Sequence, residues 1–379
     1  MSTNGKKIGV IGCGYRITDI LKNLFEVNQN HKIISIYDPD SNSIAKFRKY
    51  FSDSGVCKSY EEIISNPLIE WIFIGSINYS HKQYIISALE NNKNVFCEKP
   101  IAISLEECKE IKKIFENGNS RFFISYPLRY APLYTIIKNL VENNKIGKII
   151  SFEFNETITF RHGSFIMTDW RRFTEFSGGH LLEKCCHDVA VANWIVNSLP
   201  RRVASFGGLD MFVEENKEIY DKVKNSGYSM KFYDDKNPKN PFISNKDIID
   251  NQVIIIEYMN GVRASFHTNC STAIPERRMY ICGSEGTIRA DLFVGKIEVK
   301  RLDENATKVY DCPNDDTNHG GGDLILVEEL NNVMLYDKPT THIDDAIKSA
   351  VTCILIDKAR KEKKIIDLTP FWDDLNINY

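Results

Sequence analysis

Lys7-Ile8-Gly9-Val10-Ile11-Gly12-Cys13-Gly14-Tyr15-Arg16-Ile17 is the stretch that decides the fold. A short apolar run ends in glycine, and Ile17, Ile20, Leu21, Leu24 and Phe25 follow at helical spacing, so the reading is strand, turn, helix. The first glycine of the turn permits the tight bend. The second lets backbone N–H groups approach a pyrophosphate at the helix N-terminus. Ile17 stands where the usual fingerprint has a third glycine. A lone glycine motif is often only a turn, but this one follows a strand, opens a helix and starts a series.

The series continues through Ile33–Ile36, Trp71–Ile74, Val95–Cys97 and Phe122–Ile124, with amphipathic stretches such as Leu105, Cys108, Ile111 and Phe115 between them. Continuous apolar strands separated by helices predict a parallel sheet covered on both faces, the doubly wound α/β architecture. Residues 1–125 are therefore expected to form one nucleotide-binding Rossmann domain.

From Lys148 strand-like runs follow one another with short turns: 149–159, 252–258, 262–268, 279–282, 287–290 and 296–299. Asn260-Gly261 is a hairpin signal. Residues 126–379 read as an α+β domain with a mostly antiparallel open sheet and helices at 180–196, 323–336 and 343–360. The polar stretch 214–250, with Pro238 and Pro241, reads as a long insertion.

The 379 residues are 42% hydrophobic and 26% charged, with a formal charge of -3, enough apolar content for two cores. Lys and Arg are dispersed, which argues against nucleic acid or an anionic membrane as partner. No apolar run is long enough to span a bilayer. The ten cysteines read as free thiols of a cytoplasmic protein. No CxxC or HExxH spacing occurs, so no metal site is expected.

Several positions carry chemistry. Asp38 ends the second strand, where an acidic side chain accepts from ribose hydroxyls and repels a 2'-phosphate, favouring NAD with NADP still open. Asp38-Pro39-Asp40 equally suits a turn, and Arg16 could offset the repulsion. Gly75-Ser76-Ile77-Asn78-Tyr79-Ser80-His81 and Glu98-Lys99-Pro100 lie at carboxyl ends of strands, where open sheets bind ligands, although the first is also readable as a polar loop with a helix cap. Glu183 and His187, four apart after Gly178-Gly179, share a helical face. That spacing serves a general base and its carboxylate, or simply a solvated or core pair.

Together these residues resemble the Gfo/Idh/MocA oxidoreductases, which include glucose-fructose oxidoreductase and inositol dehydrogenase. The resemblance rests on Gly12-Cys13-Gly14, Asn78-Tyr79-Ser80-His81, Glu98-Lys99-Pro100 and the segment from Gly178 to Asp188. It implies an active site in the cleft between two domains, with the C-terminal sheet forming a homodimer or homotetramer. It implies catalytic roles for Lys99, at the nicotinamide and reacting hydroxyl, and for His187 as proton carrier, with Glu183 where the family commonly has Asp. Gly12, Gly14, Tyr15, Arg16, Ile17, Asp38, Ser76, Asn78, His81 and Glu98 become cofactor contacts. Tyr126, Arg129, Trp170 and Arg171 become substrate contacts, and His319-Gly320-Gly321-Gly322-Asp323 resembles a further family feature.

The reaction so implied moves hydride between NAD and a secondary alcohol or ketone of a sugar, cyclitol or nucleotide sugar. Two other classes compete: an NAD-dependent glycosidase with transient sugar oxidation, and a non-catalytic NAD or sugar sensor.

Overall fold

The strand segments KIGVI, KIISIY, WIFI, NVFCE and FFIS are apolar because neighbouring strands and helices cover both faces of the sheet they build. In the computed structural model, which describes residues 5–230, 239–312, 319–336 and 342–378, they are β1 (Lys7–Ile11), β2 (Lys32–Tyr37), β4 (Trp71–Ile74), β5 (Asn94–Glu98) and β6 (Phe122–Ser125). Gly55–Val56 is the short edge strand β3. The order is β3-β2-β1-β4-β5-β6 and every pairing is parallel. The order reverses between β1 and β4, the crevice where such sheets hold ligands. Phe73, Phe96 and Phe123 stack from strand to strand at 4.8 and 6.1 Å. All three are wholly buried, each side chain contributing on the order of 1.5–3 kcal/mol by burial.

The chain divides into two compact units, residues 1–130 with 322–351, and residues 131–321 with 352–379. This differs from the division at 125/126 with everything beyond it in the second domain. The reason lies in helix Gly322–Leu335. Its Leu326, Val327, Leu330, Val333 and Met334 share one core with Ile17, Ile20, Leu21 and Leu24 of helix Tyr15–Val27. His31 fastens the same helix: its Nδ1 accepts from Lys6 N–H at 2.9 Å and its Nε2 lies 3.0 Å from Asn331 Oδ1.

Among the described residues the second unit holds nine strands: β7 (Ile149–Thr159), β8 (Pro200–Gly208), β9 (Asn251–Tyr258), β10 (Arg263–Thr272), β11 (Arg278–Gly283), β12 (Gly286–Asp291), β13 (Lys296–Arg301), β14 (Lys308–Asp311) and β15 (Ile366–Asp367). Their order is β14-β13-β12-β11-β7-β10-β9-β8-β15. β7 and β10 pair in parallel and the other pairs are antiparallel. Buried and exposed residues alternate along β9, as a sheet covered on one face requires. Asn260-Gly261 turns the β9–β10 hairpin, Gly261 at φ +83°.

The polar stretch 214–250 is more built than its composition implies. Residues 218–225 form helix Glu218–Asn225, and Tyr220, Met230, Phe242 and Ile248 pack with Phe160, Ile166, Met167 and Phe212. Residues 231–238 of that stretch lie outside the described residues. Among the described residues no helix is long and apolar enough to cross a membrane, and no disulfide forms.

Candidate active site

In the first unit the glycine turn is wedged against the loop after β4. Gly12 adopts φ +89°, and a Cβ there would lie 2.4 Å from Ser76 N. Only glycine suits both that dihedral and that approach. Gly12 N–H donates to Tyr37 O at 2.8 Å, and Gly14 caps helix Tyr15–Val27 with no side-chain bond to its first-turn N–H groups. The turn thus presents backbone donors at the positive end of a 13-residue helix, the setting that receives a phosphate.

Ile17 does not disturb this turn, because the small residue has moved to its partner. A Cβ on Gly75 would meet Ile17 Cβ at 2.4 Å, so Gly75 provides the close helix–strand packing that the third fingerprint glycine usually provides. Tyr15 is exposed at the helix start.

Asp38 stands beside the turn. Its Oδ2 accepts from Cys13 N–H at 2.7 Å and its Oδ1 from Asp40 N–H at 2.8 Å. Burial pushes its carboxyl up, against the pull of those two N–H groups. Asp40 caps helix Ser41–Phe47, so the tripeptide is both strand end and helix start.

The loop after β4 is braced from below. Ser80 Oγ bonds Ser76 Oγ and Ile77 O, both at 2.8 Å, instead of capping the next helix. His81 is wholly buried, with Nδ1 2.7 Å from Pro100 O and Nε2 3.0 Å from Ser76 O. Its ring therefore ties the β4 and β5 loops together and faces main chain, and burial lowers its pKa. Asn78 is buried in the same loop.

Arg16 is engaged by two carboxylates, Glu98 Oε1 at 3.3 Å and Asp323 Oδ1 at 2.5 Å. Burial pushes the Glu98 carboxyl up, opposed by Arg16. Lys99, half-buried, follows at the carboxyl end of β5. Tyr126 is buried. Arg129 is ion-paired with Asp345.

In the second unit Gly178 and Gly179, at φ +79° and +98°, turn the chain into helix His180–Val196. Glu183 on its first turn accepts from Arg171 Nε at 2.9 Å. Arg171 also reaches Asp169 at 2.6 Å and lies over the Trp170 ring, 4.3 Å from its centroid. The candidates Glu183, Arg171 and Trp170 thus come together.

The carboxylate lying against His187 is that of Asp188, 3.4 Å from Nε2. Arg277 Nη2 is 3.2 Å from the same nitrogen. Arg277 also bonds Glu156 and pairs with Asp188 Oδ1 at 2.9 Å, and Lys184 lies 3.3 Å from Glu156. Arg277 and Lys184 draw the Glu156 carboxyl well below its usual range although burial opposes them. Burial pushes the Asp188 carboxyl up. Ligand atoms of Glu156, His187 and Asp188 lie within 4.8 Å of one another, but the guanidinium already bonds all three, and its charge repels a metal ion there. His319 packs edge-on to the His187 ring at 5.6 Å.

Sequence reasoning missed Glu156 and Arg277. They stand at the middle of β7 and just before β11, and only the sheet register brings them to the helix. Asp188 alone had a local signal, as the neighbour of His187.

Two family models match. One, described as an oxidoreductase family with NAD-binding Rossmann fold, matches residues 6–126, and its C-terminal alpha/beta domain matches residues 138–368. The chain is 26% identical over 288 residues to 2,7-anhydro-N-acetylneuraminate hydratase of Escherichia coli, covering 75% of this chain and 67% of that one. It is 29% identical over 235 residues to glucose-6-phosphate 3-dehydrogenase of Bacillus subtilis, covering 58% and 65%. Its fold is similar to levoglucosan dehydrogenase solved with NADH and levoglucosan (TM-score 0.80, 17% identity, 97% and 100% covered). It is also similar to myo-inositol 2-dehydrogenase from Lactobacillus plantarum (TM-score 0.73, 20% identity, 96% and 99% covered).

Proposed function

The chain belongs to the Gfo/Idh/MocA oxidoreductase family, and from that premise we propose that it moves hydride between NAD and a secondary alcohol or ketone of a sugar, cyclitol or nucleotide sugar. The observation that carries this reading is the Gly12 turn, whose space against Ser76 a Cβ would fill and beside which Asp38 stands.

In this reading Gly12 and Gly14 admit the pyrophosphate, and the first-turn N–H groups of Tyr15 and Arg16 face it. Asp38 accepts from the ribose hydroxyls. Ser76 and Asn78 line the crevice, while Ile17, His81 and Glu98 hold its walls. Bound NAD supplies the hydride acceptor. The Asp38 carboxylate repels a 2'-phosphate, and the Arg16 guanidinium that would offset it is engaged by Glu98 and Asp323, so NAD is preferred over NADP.

Lys99 stabilises the alkoxide developing on the substrate, where a cation acts most strongly as charge appears. His187 meets the reacting oxygen and handles its proton. Glu183, Arg171 and Trp170 contribute the substrate side, an aromatic face with a clamped guanidinium suiting a sugar ring. Tyr126 and Arg129 support the loop after β6, Arg129 through Asp345.

Self-association accompanies this function. Strand registers set Phe206 opposite Val253 and align Tyr280 with Ile255 across the sheet, and all four are exposed on one face, an apolar patch suited to a second copy. Light scattering should give a dimer or tetramer.

A second reading is favoured by the likeness to the hydratase: transient oxidation within a reaction of no net redox. Both are tested by measuring NAD binding to the purified protein, then following reduced nicotinamide and product across sugars and cyclitols. Product without net nicotinamide change selects the second reading, and absence of nucleotide binding overturns both.

A further inference from the structure

Resting on the reading of Glu183, Arg171 and Trp170 as the substrate side of the second unit, we propose that Lys184 is a substrate-binding residue of that side, its ammonium donating to an uncharged hydroxyl oxygen of the sugar or cyclitol.

Lys184 follows Glu183 in helix His180–Val196. Its side chain is 12% exposed, and its Nζ lies 3.3 Å from Glu156 Oε1. Among the described residues no other ion pair or hydrogen bond reaches that nitrogen. An ammonium has three N–H donors, and a charge-assisted N–H···O bond usually closes to about 2.7–2.9 Å. The Glu156 contact is therefore long and leaves donors unspent.

Other well-covered lysines of this chain are served differently. Lys112 Nζ meets Glu116 at 2.6 Å and Asp344 at 3.0 Å. Lys138 Nζ meets Trp194 O at 2.7 Å and Glu142 at 3.3 Å. Lys93 Nζ meets the carbonyls of Asn66 and Ile69, both at 2.8 Å. Each of the three has two acceptors, one of them at 2.8 Å or closer, and Lys184 has neither advantage. Covering an ammonium without filling its donors is costly unless a ligand oxygen completes the set. Service to Glu156 alone does not account for it, because the wholly buried Arg277 already bonds that carboxylate.

Lys184 also keeps the right company. The His162 ring feels the charges of Lys184, Glu156, Glu183 and Arg171 together, so the lysine shares one neighbourhood with the carboxylate and guanidinium of the substrate side. Arg171 cannot supply the same service as freely, since its Nε is given to Glu183 and its Nη1 to Asp169.

The charge balance selects a hydroxyl over an anion. Lys184 and Arg277 stand against Glu156 and Asp188, and Arg171 against Glu183 and Asp169, three cations against four carboxylates. Arg172, bonded to the carbonyls of Thr168, Asp169 and Asn245, brings the count to four and four. Burial and the charge of Lys184 hold the His162 ring neutral. A carboxylate or phosphate brought here finds no surplus cation, whereas a hydroxyl oxygen takes up the open N–H donors and adds no charge.

The test uses the full-length, NAD-loaded protein and a neutral substrate identified by screening sugars and cyclitols. Steady-state constants are measured for wild type and Lys184→Met on that substrate and on analogues each lacking one hydroxyl. Lys184→Met should lower kcat/KM about tenfold to a hundredfold on the parent substrate, mainly through KM, with NAD affinity unchanged. One deoxy analogue should cost wild type a similar factor and cost the variant almost nothing further, the coupling that a direct contact produces. Should Lys184→Met not fold, Lys184→Gln is read in the same way. No loss on the parent, or the same loss on the parent and every analogue, overturns the proposal. A larger loss on a uronic acid than on its neutral sugar also overturns it, since Lys184 would then serve an anion. Arg171→Gln separates the two levels: wild-type kinetics in Lys184→Met alone remove only the lysine contact, and wild-type kinetics in both variants remove the substrate side itself.

Discussion

Ile17 occupies the space that Gly75 leaves open, a Cβ on residue 75 meeting Ile17 Cβ at 2.4 Å. Gly75→Ala should therefore cost about 1–3 kcal/mol of overpacking. Ile17→Ala in the same chain should recover part of it, giving a coupling energy in a double-mutant cycle by urea unfolding. Additive costs would contradict the exchange of small and large residues between the two positions.

Gly12→Ala combines a disallowed dihedral with a clash on Ser76 N. Left-handed backbone alone costs a residue with a Cβ about 1–2 kcal/mol, and the turn must shift to relieve the contact. NAD affinity measured by calorimetry should fall about tenfold or more; unchanged affinity would dissociate the turn from the cofactor.

Asp38→Ser removes the charge that repels a 2'-phosphate and the acceptor of Cys13 N–H. The ratio of kcat/KM for NAD over NADP should drop about tenfold or more, a difference of about 1.4 kcal/mol. NAD binding itself should weaken, since the turn loses a support. A ratio that stays put would mean that another group reads the ribose.

His31, His81 and His180, all buried, and the half-buried His162 have pKa values held below the ordinary 6.5, desolvation being the first cause for each. The unfolded chain then binds more protons than the folded one between the depressed values and 6.5. Stability is complete above about 6.5 and falls as pH drops below it. The urea midpoint should decline from about pH 7.5 to pH 5.5, and His31→Gln should flatten the decline. A level profile would contradict the neutral state of these rings.

The fold was legible where pattern and packing coincide. The β1 run and Gly12-Cys13-Gly14 announce strand, turn and helix, and Gly178-Gly179 marks the start of the helix over 180–196, which the structure places at His180–Val196. Helical periodicity in 323–336 revealed a helix but not its partner. Leu326 and Val327 bury against Ile17 and Leu21, a pairing across some three hundred residues that spacing does not encode. The insertion concealed Tyr220, Met230, Phe242 and Ile248 in polar surroundings with no regular period. At the site, Glu183 and His187 were legible as a helical pair. Arg171 was named only through the family resemblance, without its bond to Glu183, and Arg277 was not named at all, because a sheet register and not a local motif delivers it.

In the proposed reaction Lys99 acts on the reacting oxygen of an alcohol or ketone while the glycine turn holds NAD. The most direct measurement is the rate of nicotinamide reduction by wild type and Lys99→Ala on one identified substrate, with NAD affinity measured in parallel. Expected is a loss in kcat of about a hundredfold or more at little change in NAD affinity. Near-wild-type turnover in Lys99→Ala would contradict it.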